Sequence, residues 1–296
     1  MKKSLKMDLS VGVKRLNLIT NRLVNAKIVG GYRSVFKGRG LEFLDYRQYT
    51  PNDDASLIDW KASIKGQELL IKEFAEERNL NVFFLIDASS GMICGSIDKL
   101  KMEYAAELVS TLSYTILQAG DSIGFAFFAD KILRYEMPRV GFKQYYRLIS
   151  DLVNPSCYGG NHDLNQALKF TMASLKEFSI IIIVSDFIGL KNDWKHYLKL
   201  AGKKFDLIGI MVRDPIDEEL PEYNGQAILG DYYSDKQIIV NVDLISEHYS
   251  KYVQASENEI INSFHDANAD FVKLTTDKPF LKPITDLFIR RTKKIR

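Results

Sequence analysis

Acidic and hydroxyl side chains follow two apolar runs of the sequence. Asp87, Ser89 and Ser90 follow the first run, and Asp186 follows the second, IIIIVS. Between them the turn of residues 159–163, GGNHD, opens a helix-like segment. Carboxylate, hydroxyl and amide oxygens are the ligands that a hard divalent cation such as Mg²⁺ prefers. If these three loops converge, they form a site whose chemistry suits Mg²⁺.

Other interpretations of these residues stay open. Asp and Ser at the end of a strand often cap the helix that follows, so each loop taken alone also fits a structural role. A serine hydrolase is a further alternative, because Ser89, Asp186 and His248 stand in the chain order of α/β-hydrolases. Against it, the nucleophile elbow needs glycine two residues before the serine, where this chain has Asp87.

An alternation of strands and helices must position these loops. Short, continuous apolar runs predict buried strands at 81–86, 122–128, 180–185, 205–212 and 270–274. Apolar residues at three and four spacing predict helices at 99–118, 142–152, 164–176, 194–201 and 246–268. Continuous apolar runs are typical of strands that helices cover on both faces. We therefore expect an α/β fold with a doubly wound, mostly parallel sheet. Its ligand site is expected beyond the carboxyl ends of the strands.

Residues 1–78 do not share this alternation. They are richer in Gly, Arg and aromatic residues and predict a small N-terminal, strand-rich lobe. In this lobe we expect Arg47 to pair with a nearby carboxylate and Trp60 to anchor the lobe on the α/β domain. Residues 79–296 are expected to form the α/β domain, with a C-terminal helix at 282–290. The segment QAILGDYYSDKQIIVNV predicts a hairpin with its turn at 233–236.

Composition argues against several classes of function. Forty basic and 38 acidic residues give a net charge of +2, far from the basic footprint of a nucleic-acid binder. The sequence shows neither a signal-peptide pattern nor an apolar run of about 18 residues. Cys94 and Cys157 are expected to be reduced thiols. We therefore expect a cytoplasmic protein with no membrane span and no nucleic-acid partner.

Three loop motifs together resemble those of von Willebrand factor A domains: LIDASSGM, the Gly-Gly turn followed by DLNQAL, and IVSDF. The resemblance implies a metal-ion-dependent adhesion site. Its candidate ligands here are Asp87, Ser89, Ser90, Asn161 and Asp186. Gly91 stands where that family has a serine, and Asn161 stands near the usual threonine. The resemblance therefore implies a degenerate Mg²⁺ site of weakened affinity.

A second resemblance covers nearly the whole chain. It rests on GYRSVFKGRGLEFLDYRQYTPNDDASLIDWKASIKGQELLIKEFAEER, on DPIDEELP and on the ending LTTDKPFLKPITDLFIRR. These segments are similar to the bacterial and archaeal domain of unknown function 58 family. That resemblance implies a non-enzymatic adaptor or co-chaperone that acts with a MoxR-type AAA+ ATPase and a client protein. A metal-independent structural interaction protein is the alternative, because the metal-site motif is altered.

Overall fold

The computed structural model describes residues 9–24, 28–30, 32, 43–51, 53–74, 80–221, 225–231, 233–234 and 236–294. The chain divides into a larger unit, Met1–Val35 with Asn81–Arg296, and a smaller unit, Phe36–Leu80. The sequence-based division at residue 78 differs from this one, because the first 35 residues group with the larger unit.

The elements in chain order are α1 (Leu9–Leu23), β1 (Phe43–Gln48), α2 (Trp60–Gly66), β2 (Leu70–Phe74), β3 (Asn81–Asp87), α3 (Lys101–Gln118), β4 (Ser122–Phe128), β5 (Ile132–Arg139), α4 (Phe142–Leu152), α5 (Leu164–Ser174), β6 (Ile180–Ser185), α6 (Trp194–Lys204), β7 (Asp206–Arg213), α7 (Pro215–Glu218), β8 (Gln226–Gly230), β9 (Gln237–Asn241), α8 (Val242–Asp266), β10 (Asp270–Thr275) and α9 (Leu281–Lys294).

The larger unit is built on a six-stranded sheet in the order β10-β7-β6-β3-β4-β5. Neighbouring strands run parallel except β5, which is antiparallel to β4. The five strands expected from the sequence are β3, β4, β6, β7 and β10, which confirms an α/β fold with a mostly parallel sheet. Sequence reasoning missed β5, because this edge strand is partly exposed and lacks a continuous apolar run.

Helices cover the sheet on both faces. On one face, Phe83 and Leu85 of β3 pack in a single apolar cluster with residues of α5, α6 and α8. The alternate residues Val82, Phe84 and Ile86 are also buried, which requires cover on the opposite face. There α3 and α4 pack against β4. The continuous apolar runs are therefore explained by burial on both sides.

Helix α1 belongs to the larger unit because it packs along α3. The Thr20 hydroxyl donates a hydrogen bond to Ser110 Oγ of α3 at 2.9 Å, and both side chains are buried. Further along the chain, the Tyr32 hydroxyl donates to Asp121 at 2.7 Å, and the Tyr32 ring meets Phe288 of α9 edge-on. These contacts tie residues before position 35 to the α/β core.

Helix α8 fixes the loop that follows β6. The Phe264 ring is fully buried and contacts the rings of Phe187 and Phe271, with centroids 5.4 Å and 4.8 Å away. A side chain at Gly209 of β7 would meet this ring, since a Cβ there would lie 2.5 Å from Phe264 Cε1. Phe187 has a left-handed backbone (φ 53°), a costly conformation for a residue with a side chain. Aromatic packing thus holds the chain directly after Asp186 in place.

The segment 226–242 forms the expected hairpin. Strands β8 and β9 pair antiparallel, with Gln226 opposite Asn241 and Gly230 opposite Gln237. At the turn, the Asp231 carboxylate accepts a hydrogen bond from the Tyr233 N–H at 3.0 Å. The hairpin prediction is confirmed, and its turn presents Tyr233.

The smaller unit is a two-stranded antiparallel sheet, β1 with β2, joined through α2. Asp59 caps α2 by accepting hydrogen bonds from the backbone of the first turn. Arg47 binds Asp53 through two hydrogen bonds of 2.7 Å each, which confirms the expected pairing. The hydrogen bond from Arg47 lowers the pKa of the Asp53 carboxyl below its ordinary value. The expected lobe also includes residues 33–42 and 75–79, which lie outside the described residues.

A substitution on α8 tests the role of its buried aromatic face. We expect Phe264→Ala to lower the free energy of unfolding by about 3–5 kcal/mol, because it leaves a cavity beside two aromatic rings. Tyr252→Ala on the same helix removes a ring that is 74% exposed and should change stability by less than about 0.5 kcal/mol. Chemical denaturation of both variants measures the difference. Equal losses in the two variants would contradict the packing described here.

Candidate functional site

Asp87 ends β3 at the carboxyl edge of the sheet and is fully buried. Its Oδ1 accepts a hydrogen bond from the Ser89 N–H at 2.9 Å, and its Oδ2 accepts one from the Ser185 hydroxyl at 2.6 Å. Burial raises the pKa of the Asp87 carboxyl above its ordinary value. Asp87 therefore joins the first loop to the end of β6.

Asp186 follows β6 and is also fully buried. Its Oδ1 accepts a hydrogen bond from the Ile188 N–H at 2.9 Å, and its Oδ2 accepts one from Lys101 Nζ at 2.7 Å. Lys101 Nζ lies 2.9 Å from Asp217 Oδ2 as well. Burial on its own would lower the pKa of Lys101, but the two carboxylates raise it above the ordinary value. Lys101 is thus a buried ammonium ion held between two acids.

The second loop reaches the site through His162. His162 Nε2 lies 3.3 Å from Ser185 Oγ and 3.5 Å from Asp87 Oδ2, whereas Asn161 is exposed. His162 Nδ1 is buried and has no hydrogen-bond partner among the described residues. The Ser90 N–H donates to the Gly160 carbonyl at 2.9 Å, which ties the first loop to the second.

Tyr233 of the hairpin closes the site from the side. Its hydroxyl lies 3.3 Å from Ser89 Oγ and donates to the Ile188 carbonyl at 3.2 Å. A Cβ at Gly91 would lie 2.7 Å from this hydroxyl oxygen and 3.0 Å from Asp186 Oδ2. A side chain at position 91 would therefore have to displace the Tyr233 hydroxyl. Burial raises the pKa of Tyr233, and the nearby Asp186 carboxylate raises it further, so the hydroxyl stays protonated.

The structure brings together part of the ligand set suggested by the sequence. Asp87, Ser89 and Asp186 lie at one corner of the sheet edge. We call this cluster the carboxyl corner, and it also includes Lys101, His162, Ser185 and Tyr233. Ser90 contributes its backbone N–H to the tie between loops. Asn161 stays at the surface. Sequence reasoning missed Lys101, His162 and Tyr233, and only His162 carried a signal, because it stands in the second loop.

These side chains do not fit an octahedral Mg²⁺ ion. Asp186 Oδ2 already binds the Lys101 ammonium group, and a divalent cation beside that group would be repelled. Gly91 offers no ligand, and the space in front of it holds the neutral Tyr233 hydroxyl. Within the described part of the chain, no three His, Cys, Asp or Glu side chains are grouped as metal ligands. Metal binding by Asp87, Ser89, Ser90, Asn161 and Asp186 stays a prediction from the sequence.

The side chains around His162 do not form a catalytic triad either. In a triad the histidine uses one ring nitrogen for the nucleophile and the other for the acid. Here Ser185 and Asp87 both approach Nε2, and the Ser185 hydroxyl donates directly to Asp87. Ser89 is fully buried, whereas His248 lies exposed on α8.

An open groove lies at the same edge of the sheet, beside the carboxyl corner. Its volume is about 950 Å³, and residues 187–196 line it. Tyr249, Tyr252 and Val253 of α8 also line it. Tyr252 is 74% exposed, so the groove has an aromatic side chain accessible to a partner.

Fold and site define an α/β domain with a closed polar corner at the carboxyl edge of its sheet. Residues 45–259 match the family described as protein of unknown function DUF58, so the chain belongs to this family. An uncharacterized protein of Mycobacterium tuberculosis is 22% identical over 280 residues, which cover 93% of this chain and 87% of that protein. The uncharacterized protein YeaD of Bacillus subtilis is 29% identical over 80 residues, or 27% of this chain and 18% of that protein.

Solved structures give weaker likenesses. The conserved hypothetical protein BatB from Bacteroides thetaiotaomicron is 15% identical with a TM-score of 0.48, covering 73% of this chain and 100% of that one. A von Willebrand factor type A protein from Catenulispora acidiphila is 11% identical with a TM-score of 0.36, covering 49% and 35%. In the described residues we find no helix with the length and apolar character needed to cross a membrane.

A double-mutant cycle tests the contact between Gly91 and Tyr233. Gly91→Ser should lower the free energy of unfolding by about 1–3 kcal/mol, because its side chain overlaps the Tyr233 hydroxyl. In a Tyr233→Phe background the same change should cost at least about 0.5 kcal/mol less, because the overlapping oxygen is gone. Denaturant unfolding of the four proteins measures the coupling. Strict additivity would show that the two positions do not meet.

Proposed function

We propose that this chain is a non-enzymatic protein-binding adaptor or co-chaperone that acts with a MoxR-type AAA+ ATPase on a client protein. The observation that carries the proposal is the carboxyl edge of the larger unit. There the three loops are tied to one another by hydrogen bonds, next to a groove of about 950 Å³. A rigid edge beside an open groove suits recognition of a folded partner, because little ordering is needed on binding.

We further propose that the larger unit is a von Willebrand A-type domain. The mostly parallel sheet and the placement of Asp87 and Asp186 at the ends of the neighbouring strands β3 and β6 support this assignment. In open α/β sheets, ligands bind beyond the carboxyl ends of the strands, which is where the loops and the groove lie. Partner recognition is accordingly assigned to this edge.

The proposal that the chain is not an enzyme rests on the state of its candidate nucleophiles. Ser89 is fully buried, and its hydroxyl lies beside the Tyr233 hydroxyl, which is a poor general base. The Ser185 hydroxyl donates to Asp87 and is also fully buried. A nucleophile needs an adjacent base and access to substrate, and neither hydroxyl combines the two.

We also propose a cytoplasmic location. Cys94 and Cys157 are free thiols, and Cys157 is buried. Reduced cysteines are the normal state in the cytosol, where disulfides are rare. The same state is compatible with a partner that is a cytosolic ATPase.

A binding experiment tests the adaptor function. Calorimetry with a MoxR-type ATPase from the same organism should give saturable binding, which Tyr252→Ala weakens about tenfold or more, because exposed aromatic side chains dominate such interfaces. Leu244→Ala is the matched control, since Leu244 is 73% exposed on the same helix but does not line the groove. Absence of binding by the unchanged protein, or equal effects of the two variants, would contradict the proposal.

The metal-independent interaction protein is a second candidate, favoured by the contact of Lys101 with Asp186. Repeating the ATPase titration with magnesium and with chelator distinguishes metal-dependent from metal-independent binding of the partner. Affinity that falls with chelator favours a metal-dependent adhesion site. Affinity unchanged by chelator favours direct protein–protein contact.

Hydrolytic activity gives an independent test. We expect no turnover of activated esters above the rate in buffer, and no change in Ser89→Ala, because Ser89 is buried without a base. The assay uses purified protein, with circular dichroism as the check that the variant is folded. Turnover that disappears in Ser89→Ala would establish a serine hydrolase instead.

A further inference from the structure

Lys101 occupies a position that is unfavourable for a lysine in two ways. It is the first residue of α3, where the positive end of the helix dipole repels a cation. Its side chain is fully buried, so the ammonium group has lost its water. Such a group persists only when its surroundings compensate for both effects. Asp186 and Asp217, at 2.7 Å and 2.9 Å, supply that compensation.

The two carboxylates that bind Lys101 lie on two different elements, which a metal ion could connect if the ammonium group did not. Asp186 follows β6 at the carboxyl edge, and Asp217 lies in α7, after β7. Asp217 also accepts a hydrogen bond from the Asp214 N–H at 3.0 Å, which fixes its direction. The ammonium group therefore crosslinks the start of α3 to the end of β6 and to α7. In a metal-dependent site a divalent ion performs this kind of crosslinking.

The remaining acceptors of the carboxyl corner are matched by donors of the chain itself. Both Asp87 oxygens accept hydrogen bonds, from the Ser89 N–H and the Ser185 hydroxyl. Asp186 Oδ1 accepts one from the Ile188 N–H. In front of Gly91, the hydroxyl missing from that position is supplied by Tyr233. Donors of the protein thus bind the carboxylate oxygens that the sequence motif assigned to a metal.

We propose that the carboxyl corner is completed by an internal cation, the Lys101 ammonium group, in place of a divalent metal ion, and by the Tyr233 hydroxyl in place of a hydroxyl at position 91. The partner-binding edge is then assembled without metal. Only this consequence for the partner rests on the proposed function. The role of Lys101 in the corner stands on the contacts alone.

Thermal unfolding of the full chain tests the proposal without a partner. The melting temperature of the unchanged protein should shift by less than about 1 °C between 10 mM magnesium chloride and chelator at matched ionic strength. Lys101→Ala should lower it by roughly 10 °C, because two buried carboxylates lose their counter-charge. Lys99→Ala removes a neighbouring lysine that pairs with Glu107 at 2.8 Å and is 39% exposed, and should lower it by less than about 3 °C.

Metal rescue of the variant is the decisive part of the experiment. Magnesium should raise the melting temperature of Lys101→Ala by about 3 °C or more, because the vacated space is lined by acidic oxygens, while sodium chloride of equal ionic strength should not. A magnesium-induced rise in the unchanged protein, a loss in Lys101→Ala no larger than in Lys99→Ala, or no rescue of Lys101→Ala would each overturn the proposal.

A second measurement covers the case in which Lys101→Ala does not fold. Manganese binding to the unchanged protein, followed by electron paramagnetic resonance, should show no site with a dissociation constant below about 1 mM, since the ammonium group excludes the ion. A tighter site that is lost in Asp186→Asn would overturn the inference. Neither readout involves the ATPase, so failure here and failure of the adaptor function are distinguishable.

Discussion

The buried ion contact of Lys101 with Asp186 and Asp217 is the interaction on which the carboxyl edge depends. A buried ammonium ion is stable only when its acids are correctly placed, and removing one partner of such a group is strongly destabilising. The contact therefore fixes three elements relative to one another: the start of α3, the end of β6 and α7 after β7. Phe187 follows Asp186 and has a left-handed backbone. The contact of Asp186 with Lys101 and the aromatic packing of α8 together hold this conformation.

Much of the larger unit could be predicted from the sequence, because local patterns determine it. The strand IIIIVS is buried on both faces, as its continuous apolar run predicts. Strand β5 escaped prediction because Arg134 and Glu136 interrupt its apolar pattern at the sheet edge. The grouping of residues 1–35 with the α/β core also carried no local signal, since it depends on packing between α1 and α3.

The corner itself was predictable only in part, for a physical reason. Asp87 and Asp186 follow strands, so the topology places both at one edge. Lys101 reaches its acids across 85 and 116 residues, and in sequence it resembles any lysine on a helix surface. Tyr233 contacts Ser89 across 144 residues from a hairpin whose sequence predicts only a turn. Pairings of such separation leave no pattern in a single sequence.

Gly91 shows why a departure from a motif is not in itself decay of a site. Judged from sequence, the glycine is a lost hydroxyl ligand. In the structure the space of that side chain holds the Tyr233 hydroxyl, 2.7 Å from where a Cβ would stand, so the two positions are complementary. A corner whose carboxylates are hydrogen-bonded within the chain offers a fixed shape rather than an open coordination position. Recognition at this edge then depends on the loops and the groove beside it, because the two carboxylates of the corner and the Lys101 ammonium group already have partners within the chain.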